Sequence, residues 1–523
     1  MRGKARVVVV GAGVGGLAAA LRLAHAGFCV DVVEQAAGPG GKMRTIDSDA
    51  GPVDAGPTVL TMRPVLEDLF ESVDESLASH VALEAEPVLA RHFWPDGSKL
   101  DLHSDPDRSA HAIRAFAGSR SEQEFRAFCR DADALFAAFD GPVMQRAKPD
   151  LMGIARAGLA NPGLMAGAPN LSLWWVLSRR FSDPRLAQLF ARYATYVGGS
   201  PFRSPAVLML IWAAEAAGVW RVRGGMAMLA RALEALARHR GARFHYKSTA
   251  QRILCDNGHA CGVELQDGSR LAADRVLFNG DPAALRKGFM GEAVVRAVPA
   301  GAVAARSLSA YVWAFAARPQ GVRLGHHNVF FNRTYRDEFD AIAAGAMPRD
   351  ATLYICAQDR GAGKTPSGPE RFEIIMNAAP VAPGRPEDNK EFETCRTRTF
   401  DSLAAMGLTF DPVPERAALT TPGDFARLFP GSQGSLYGLS PHGMTATFRR
   451  PTARTAIPGL YLAGGGAHPG AGVPMALTSG RHAAEAITTD HASMSPSRRT
   501  AMRGGMSTAF PTTAAVPSRS SGS

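Results

Sequence analysis

A cluster of glycines near the start of the chain, GAGVGG at 11–16, most constrains how this sequence can fold. A β-branched run, RVVVV, precedes it at 6–10, and LAAALRLAHAG at 17–27 has helical spacing that ends in glycine. CVDVVEQ at 29–35 is typical of a second strand. Strand, glycine turn, helix and strand in this order predict a βαβ unit, and the turn fits the pattern G-x-G-x-x-G.

Such a turn is suited to bind a dinucleotide. Glycines permit close approach of the backbone to a pyrophosphate, and the free N–H groups at the start of the helix favour phosphate. Glu34 ends the second strand, 23 residues after Gly11, where its carboxylate can accept hydrogen bonds from both ribose hydroxyls. A simple packing turn beside a surface acid is the alternative, but the strand, helix and acid together favour a dinucleotide.

The segment GPGGKMRT, which follows the second strand, helps to choose the dinucleotide. The acid at Glu34 favours a free ribose, as in FAD or NAD. A Gly-Gly pair and a base soon after this acid extend the N-terminal fingerprint of flavoproteins with two dinucleotide-binding domains. Gly41 lets the backbone pass near the cofactor, and Arg44 is placed to neutralise phosphate charge. Ordinary solvation is the alternative for Lys42 and Arg44.

A second strand, glycine-rich turn and helix occur in LYLAGGGAHPGAGVPMALTSGRHAA, Leu460 to Ala484. An NAD-dependent Rossmann protein needs no such return, whereas FAD is longer and its ring requires a second binding region. Gly464 and its neighbours let main-chain N–H groups reach the isoalloxazine edge. A helix that starts near Met475 places its positive end beside flavin N1–C2=O. The sequence therefore predicts FAD, and His468 is expected to have a positional role.

These segments resemble the bacterial carotenoid desaturases, a branch of the flavin amine oxidase and protoporphyrinogen oxidase superfamily. The resemblance covers residues 5 to about 487 and is most specific in the two glycine-rich segments and in DAGPTVLTMRPVLEDLF. RYATYVGGSPFRSPA, GVWRVRGGMAMLARAL and GSLYGLSPHG are also similar to that group. TMRPVLEDLF and VPMALTSGRHAA look more like 1-hydroxycarotenoid 3,4-desaturases (methoxyneurosporene dehydrogenases) than phytoene desaturases.

The resemblance implies a set of cofactor contacts. Ala250 stands where the family normally has a valine that touches adenine through its backbone, a contact that alanine also permits. The implied FAD-binding residues are Gly11, Gly13, Gly16, Glu34, Gly41, Arg44, Gly56, Pro57, Thr58, Ala250, Gly464, Gly472, Val473, Pro474 and Met475.

The resemblance further implies an FAD-dependent oxidoreductase that introduces the C3–C4 double bond into acyclic 1-hydroxy or 1-methoxy carotenoids, in carotenoid biosynthesis of the spheroidene or spirilloxanthin type. A hydride passes to flavin N5, and alignment and water exclusion matter more than a dedicated base. The sequence identifies no proton acceptor, no metal-ligand cluster and no Ser/His/Asp triad, so the catalytic residues stay unassigned. The electron acceptor that reoxidises the flavin, oxygen or a quinone, is also open.

Several alternatives compete with this interpretation. Phytoene desaturase or another carotenoid oxidoreductase is the nearest, followed by an amine or protoporphyrinogen oxidase. A non-catalytic lipid-binding protein like the GDP dissociation inhibitors would share the fold without needing the flavin loop. An NAD-dependent dehydrogenase would leave 460–484 unexplained.

The chain of 523 residues exceeds the usual size of one hydrophobic core, which predicts more than one domain. The predicted fold class is α/β: a Rossmann-like FAD-binding domain with an inserted mixed α+β, largely helical domain for substrate and membrane. We assign 1–86, 218–299 and 441–490 to the first domain, and 87–217 and 300–440 to the second. The polar, Pro-rich residues 491–523 predict a disordered tail.

Charge and apolar patterning bear on the surroundings of the protein. The net charge is +10, but four arginines and no acid follow residue 490, which leaves about +6 on the body. No basic run is interleaved with aromatic residues, so we expect no nucleic-acid partner. No apolar run reaches the ~18–20 residues of a spanning helix, which predicts a cytoplasmic protein peripherally associated with the inner face of the membrane.

Two segments of the inserted domain fit contact with a membrane and an apolar substrate. SLWWVLSRRF at 172–181 combines two tryptophans with two arginines, as at a membrane interface. AVLMLIWAA at 206–214 is suited to line an apolar tunnel. Ordinary core helices are the alternative for both segments.

Overall fold

The computed structural model of the protein describes residues 4–150, 152, 153, 155, 156, 171–361, 366–382, 384, 390–443 and 445–493. The strands in chain order are β1 (Arg6–Val10), β2 (Cys29–Val33), β3 (Thr45–Ile46), β4 (Val53–Asp54), β5 (Leu83–Ala85), β6 (Val88–Phe93), β7 (Lys99–His103), β8 (Trp220–Val222), β9 (Arg243–His245), β10 (Ala250–Asp256), β11 (His259–Leu265), β12 (Arg270–Ala272), β13 (Arg275–Phe278), β14 (Ser309–Gly321), β15 (His327–Phe330), β16 (Leu353–Ala357), β17 (Glu370–Ala378), β18 (Leu408–Asp411), β19 (Leu419–Thr420) and β20 (Leu460–Leu462).

The described helices are numbered in the same way. They are α1 (Val14–His25), α2 (Arg63–Glu71), α3 (Leu77–His80), α4 (Pro106–Phe139), α5 (Leu173–Arg180), α6 (Pro184–Ala191), α7 (Leu210–Ala216), α8 (Ala227–His239), α9 (Pro282–Arg286), α10 (Tyr335–Ala343), α11 (Glu391–Ala405), α12 (Pro422–Leu428) and α13 (Val473–Ser493). Short 3₁₀ helices span Arg192–Val197, Ala206–Met209, Glu292–Ala297, Ala300–Ala302, Arg416–Ala418 and Thr447–Arg449, and a π-helix spans Asp140–Met144.

A five-stranded parallel sheet in the order β20-β13-β1-β2-β9 carries the N-terminal glycine turn. Its strands are short apolar runs, as expected for a parallel sheet covered on both faces. Helices α1, α8 and α13 share one hydrophobic core with β1 and β2. The predicted βαβ unit is therefore present, and the strand near residue 460 is an edge strand of the same sheet.

A larger sheet of eight strands, in the order β18-β14-β17-β16-β15-β6-β7 with β19 on β14, lies in the middle of the chain. Its pairs are antiparallel except for β6 with β15. Helices α4, α5, α6 and α7 form a core together with residues of β6, β7 and β15.

The prediction of a largely helical inserted domain therefore understates the strands of this region. The turn Pro95–Ser98 joins β6 to β7, and Gly97 in it takes a φ of 82°. The sequence PDG at this turn is a hairpin signal that the sequence analysis did not use.

At the C-terminal side, α13 continues to Ser493, so the first three residues of the predicted tail are helical. The rest of that predicted tail lies outside the described residues.

Candidate active site

The N-terminal glycine turn has the geometry of a phosphate cradle. The Gly11 N–H donates to Val33 O at 2.8 Å, and its φ is 100°. A Cβ on Gly16 would lie 2.3 Å from Gly11 O, so only glycine fits there. Gly13 is the N-cap of α1 and supplies no side-chain cap. The first N–H groups of α1 are therefore available to an anion.

The C-terminal glycine segment lies directly against this cradle. A Cβ on Gly15 would come within 2.8 Å of Gly464 Cα, and one on Gly480 within 2.3 Å of Gly15 O. Side chains larger than hydrogen would separate α1 from α13 and from the loop after β20. The two ends of the described chain thus meet at one place, as the sequence predicts.

One cavity of about 1070 Å³ runs along both segments. The ends of three parallel strands open onto it through Val10, Val33 and Phe278, as expected for ligands of open α/β sheets. The predicted cofactor residues that line it are Gly11, Gly13, Glu34, Gly41, Gly56, Pro57, Thr58, Ala250, Gly464, Gly472, Val473, Pro474 and Met475.

Two predicted residues, Gly16 and Arg44, do not line the cavity. Gly16 acts through the shape of the turn. The Arg44 guanidinium donates to Thr420 Oγ1 and lies 5.6 Å from the centre of the Phe425 ring. Lys42 lines the cavity instead, and its Nζ donates to Leu436 O at 2.5 Å. Burial lowers the pKa of Lys42 to about 8, and the predicted contact of Arg44 with phosphate stays a prediction.

Glu34 is held at the end of β2 by main-chain donors. Its Oε2 accepts from Ala12 N and its Oε1 from Ala36 N, both at 2.8 Å, and the residue is 8% exposed. Each carboxylate oxygen retains a free lone pair, because two oxygens offer about four acceptor sites. The carboxylate is therefore fixed in place for additional donors such as ribose hydroxyls.

Asn279 and Arg450 organise the cradle, and neither was predicted from the sequence. Asn279 follows β13, and its Nδ2 donates to Gly11 O at 3.1 Å and to Gly13 O at 3.3 Å. Its buried Oδ1 has no partner within the described part of the chain. A polar residue directly after a parallel strand was the available signal for Asn279. Arg450 donates to main-chain oxygens of Tyr437, Leu439 and Gly465 at 2.9–3.0 Å, a role that no local motif reveals.

His468 lies in the C-terminal loop but outside the cavity lining. Its Nε2 is 2.9 Å from Arg146 O, and its ring stacks on His482 with centroids 5.9 Å apart. Burial lowers the pKa of His468, so the ring is neutral near pH 7. These contacts give it a positional role.

The cavity continues from the glycine cradle into an apolar section. This section is lined by side chains of α4, the π-helix, the 3₁₀ helix Ala206–Met209 and α7. The apolar lining residues are Phe136, Phe139, Val143, Met144, Val207, Leu208, Leu210, Ile211 and Ala214. The predicted tunnel segment 206–214 therefore does contribute to a cavity wall.

Two polar groups interrupt this apolar wall. In the first, Thr58 Oγ1 donates to Glu373 Oε2 at 3.2 Å and lies 2.9 Å from the Tyr354 hydroxyl. Burial raises the pKa of the Glu373 carboxyl well above its usual range. We call Thr58, Tyr354 and Glu373 the carboxyl cluster.

The second polar group lies on the helical side of the cavity. Arg192 Nη1 donates to the Tyr196 hydroxyl at 2.7 Å, and Arg192 Nη2 lies 4.0 Å from Glu215 Oε1. Tyr193 donates to the same carboxylate oxygen at 2.9 Å. Arg192, Tyr196 and Glu215 line the cavity, so a buried ion pair faces an otherwise apolar section.

His326, His327 and Cys356 form a buried cluster next to Tyr354. One ligand atom from each lies within 4.8 Å of the others, a grouping that the sequence spacing did not show. His326 Nδ1 is 2.6 Å from Arg360 O, and His327 Nδ1 is 2.7 Å from the Tyr354 hydroxyl. Burial lowers the pKa of His326 to about 4 and that of His327 well below its usual range. Both rings are therefore neutral and anchored through Nδ1.

The family of the chain follows from comparison with known sequences. The family model described as flavin containing amine oxidoreductase matches residues 14–308 and 387–488. The chain belongs to the flavin-containing amine oxidoreductase family. Its cofactor is FAD, which the glycine cradle, the fixed acid and the volume of the cavity fit. The predicted cofactor and oxidoreductase class are therefore confirmed, and the NAD-dependent and non-catalytic alternatives are set aside.

Curated relatives narrow the position within the flavin-containing amine oxidoreductases. A hydroxyneurosporene desaturase of Cereibacter sphaeroides is 57% identical over 491 residues, which cover 94% of this chain and 99% of the relative. A hydroxyneurosporene desaturase of Rhodobacter capsulatus is 52% identical, with coverage of 94% and 99%. The predicted resemblance to carotenoid desaturases is thus confirmed.

A solved structure supports the fold of this flavin-containing amine oxidoreductase. An oxidoreductase from Methanosarcina mazei matches with a TM-score of 0.58 and 16% identity, over 92% of this chain and all of that chain. At this identity the likeness shows the fold alone, and it confirms the predicted fold class.

The predicted membrane segment is only partly exposed. Trp175 is 41% exposed and Arg179 lies 3.9 Å from the centre of its indole. Trp174 packs against Phe202, and Arg180 pairs with Asp131. None of the helices within the described residues combines the length and apolar character needed to cross a membrane.

Proposed function

We propose that this protein is an FAD-dependent desaturase that introduces the C3–C4 double bond into acyclic 1-hydroxy or 1-methoxy carotenoids. The observation that carries the proposal is a single cavity with a dinucleotide cradle at one end and an apolar section at the other. A polyene needs such an apolar channel, and the two relatives at 57% and 52% identity are hydroxyneurosporene desaturases.

We propose that FAD binds along the glycine cradle, with its ribose on Glu34 and its ring between the loop Gly56–Thr58 and the start of α13. Bound FAD supplies a two-electron acceptor that takes hydride at flavin N5. The start of α13 directs main-chain N–H groups and a positive dipole end toward the cavity, which favours negative charge there. This proposal includes all the cofactor residues predicted from the sequence.

The side chains of the apolar section orient the substrate and exclude water. Alignment of a C–H bond with an acceptor lowers the barrier by fixing the reacting geometry in advance. Residues such as Leu208, Ile211 and Phe139 present only apolar surface to the cavity. A polyene that fills this section displaces water from the reacting carbons.

We also propose the two-domain division given by the sequence and a peripheral position on the inner face of the cytoplasmic membrane. Support for the division comes from the sheets, since the five-stranded sheet and the eight-stranded sheet draw on different predicted segments. Trp175 and Arg179 provide an exposed aromatic and basic pair for an anionic bilayer. Oxygen or a membrane quinone is proposed as the electron acceptor.

The proposal is tested by incubating the flavoprotein with 1-hydroxyneurosporene, hydroxylated lycopene derivatives and phytoene separately. We expect the hydroxylated carotenoids to gain one double bond, seen by chromatography and a red-shifted chromophore. Conversion of phytoene alone would contradict the choice of subfamily and favour the phytoene desaturase alternative. Equal conversion of all substrates would contradict selectivity for C1 oxygen.

A further inference from the structure

The carboxyl cluster places a polar contact in the wall of the cavity beside the loop Gly56–Thr58. Glu373 lies on β17 and Tyr354 on β16, and both side chains line the cavity. Thr58 joins them through hydrogen bonds of 3.2 Å to Glu373 Oε2 and 2.9 Å to the Tyr354 hydroxyl. The cluster therefore ties the second sheet to the loop that we place at the flavin ring.

Glu373 has an unused hydrogen-bonding atom. The residue is 0% exposed, and its Oε1 has no hydrogen-bond partner within the described residues. Arg44 lies close enough to act on the charge of Glu373, but its guanidinium donates to Thr420 Oγ1, and no salt bridge to Glu373 occurs among the described residues. A buried polar atom without a partner costs free energy, which a bound polar group can recover. Such an atom in a cavity wall indicates a ligand that carries a polar group at that point.

The substrate class of the proposed function has one such group. An acyclic 1-hydroxy or 1-methoxy carotenoid is a hydrocarbon apart from the oxygen at C1. The reacting C3–C4 bond lies two carbons away from C1, so this oxygen must lie near the flavin ring during reaction. Its binding partner must therefore belong to the ring side of the cavity.

We propose that Glu373, positioned by Thr58 and Tyr354, binds the C1 oxygen of the substrate and selects hydroxylated or methoxylated carotenoids over hydrocarbons. The inference rests on the proposed function and names its specificity-determining residue. A neutral carboxyl group accepts from a hydroxyl and donates to a methoxyl oxygen, which accepts only. Burial favours this neutral form.

The second polar group fits this task less well. Arg192 donates to Tyr196 and lies 4.0 Å from Glu215. Glu215 Oε2 also has no described partner, but these residues belong to the helical side of the cavity. No described hydrogen bond joins any of them to the loop Gly56–Thr58. We therefore assign the C1 oxygen to the carboxyl cluster.

The test compares two ligands of the complete flavoprotein that differ at C1. The KM for 1-hydroxyneurosporene is measured together with the competitive inhibition constant of neurosporene, the hydrocarbon that lacks the oxygen. In Glu373→Leu we expect the KM for the hydroxylated substrate to rise by about tenfold to a hundredfold. The inhibition constant of neurosporene should change by less than about threefold, since no polar contact to it is lost.

Variants that keep hydrogen bonding provide the rescue and the control. Glu373→Gln retains a donor and an acceptor and should restore most of the preference for the hydroxylated substrate. Glu338→Gln is the matched control, because Glu338 is a 1% exposed acid of the same half of the protein that does not line the cavity. If Glu373→Leu loses its flavin, the shorter Glu373→Asp replaces it. The readout is the ratio of the KM for 1-hydroxyneurosporene to the inhibition constant of neurosporene.

The outcomes separate the inference from the proposed function. Equal weakening of both ligands would overturn the inference, because it would point to a packing role that does not distinguish the C1 oxygen. An unchanged ratio in an active Glu373→Leu or Glu373→Asp enzyme would overturn it as well and leave the desaturase function intact. A wild-type flavoprotein that converts no carotenoid would overturn both.

Discussion

The two ends of the cavity are built in different ways. At the cofactor end, glycines at 11, 15, 464 and 480 let main chains touch, and the groups available to a ligand are chiefly backbone groups and one fixed acid. At the substrate end, side chains from α4, α7, β16 and β17 form the wall. Cofactor binding should therefore tolerate few substitutions at a few positions, whereas substrate choice depends on many replaceable side chains. A substitution at one end should affect that end and spare the other.

The largest effect is expected for Gly16→Val at the cofactor end. The added atoms would lie within 2.3 Å of Gly11 O and 2.8 Å of Asn279 Nδ2, so the turn must open. Overpacking of this kind costs about 1–3 kcal/mol or more, and we expect the purified protein to lose its flavin absorbance. Gly38→Val is the control, since a Cβ on Gly38 meets nothing within 4 Å. Full flavin content in Gly16→Val would contradict the view that the cofactor end tolerates few substitutions.

Ala214→Trp should impair the substrate end and leave the cofactor end unchanged. The indole would fill the apolar section that Ala214 lines, and we expect carotenoid turnover to fall by about a hundredfold. Flavin content and absorbance should stay unchanged. Ala217→Trp serves as the control, because Ala217 lies just beyond α7 and is exposed. Loss of flavin from Ala214→Trp would show that the two ends are coupled.

A smaller loss of FAD affinity is expected for Asn279→Leu. Two hydrogen bonds to the glycine turn are removed, and at ~1 kcal/mol each they predict roughly tenfold to thirtyfold weaker FAD binding. Fluorescence titration of the deflavinated protein with FAD measures this change in affinity. Asn328→Leu, which removes three hydrogen bonds in and beside the second sheet, should lower thermal stability without changing FAD affinity. Equal FAD affinity in both variants would contradict the role of Asn279.

Lys42 should make FAD binding depend on pH. The pKa of Lys42 in the free protein is lowered to about 8 by burial, and a nearby phosphate raises it in the complex. Above pH 8, binding therefore takes up a proton, so affinity should fall by up to about tenfold per pH unit as the pH rises. Lys42→Gln should flatten this dependence between pH 8 and 10. If FAD affinity falls with pH just as steeply in Lys42→Gln, Lys42 is excluded as the source of the pH dependence.

The smallest effect is expected at the surface. Trp175→Ser should weaken binding to anionic phospholipid vesicles by about 1 kcal/mol, or roughly fivefold, since it removes exposed aromatic area beside Arg179. Sedimentation with vesicles measures the change. Met228→Ser is the matched control, because Met228 is 40% exposed on α8 at the cofactor end. Equal losses in both variants would argue against a specific membrane face.

The same contrast explains how much of the molecule the sequence predicted. Local motifs predicted the βαβ unit and its C-terminal counterpart, because a turn that must admit main chain requires glycine at fixed spacing. The return of 460–484 to the cofactor site followed from the length of FAD, whereas the pairing of β20 with β13 was not predicted. The sequence did not predict that Lys42 lines the cavity whereas Arg44 does not, since this depends on the direction of each side chain.

The substrate end was harder to predict because its contacts join residues far apart in sequence. Thr58 and Glu373 are separated by 315 positions, and Arg192 faces Glu215 across two different helices. Neither pair has a sequence spacing that would indicate a contact between its two residues. The hairpin of β6 and β7 was visible in PDG, but the helical periodicity that follows it dominated the interpretation.

The contact of Gly480 with Gly15 has a consequence for biosynthesis. The first glycine turn is translated long before the edge strand and the helix that close its site. A nascent chain must therefore keep its N-terminal half-site open while more than four hundred residues are added. The complete flavin site forms only after both segments have been translated, which makes the supply of flavin at that stage a determinant of the yield of folded enzyme.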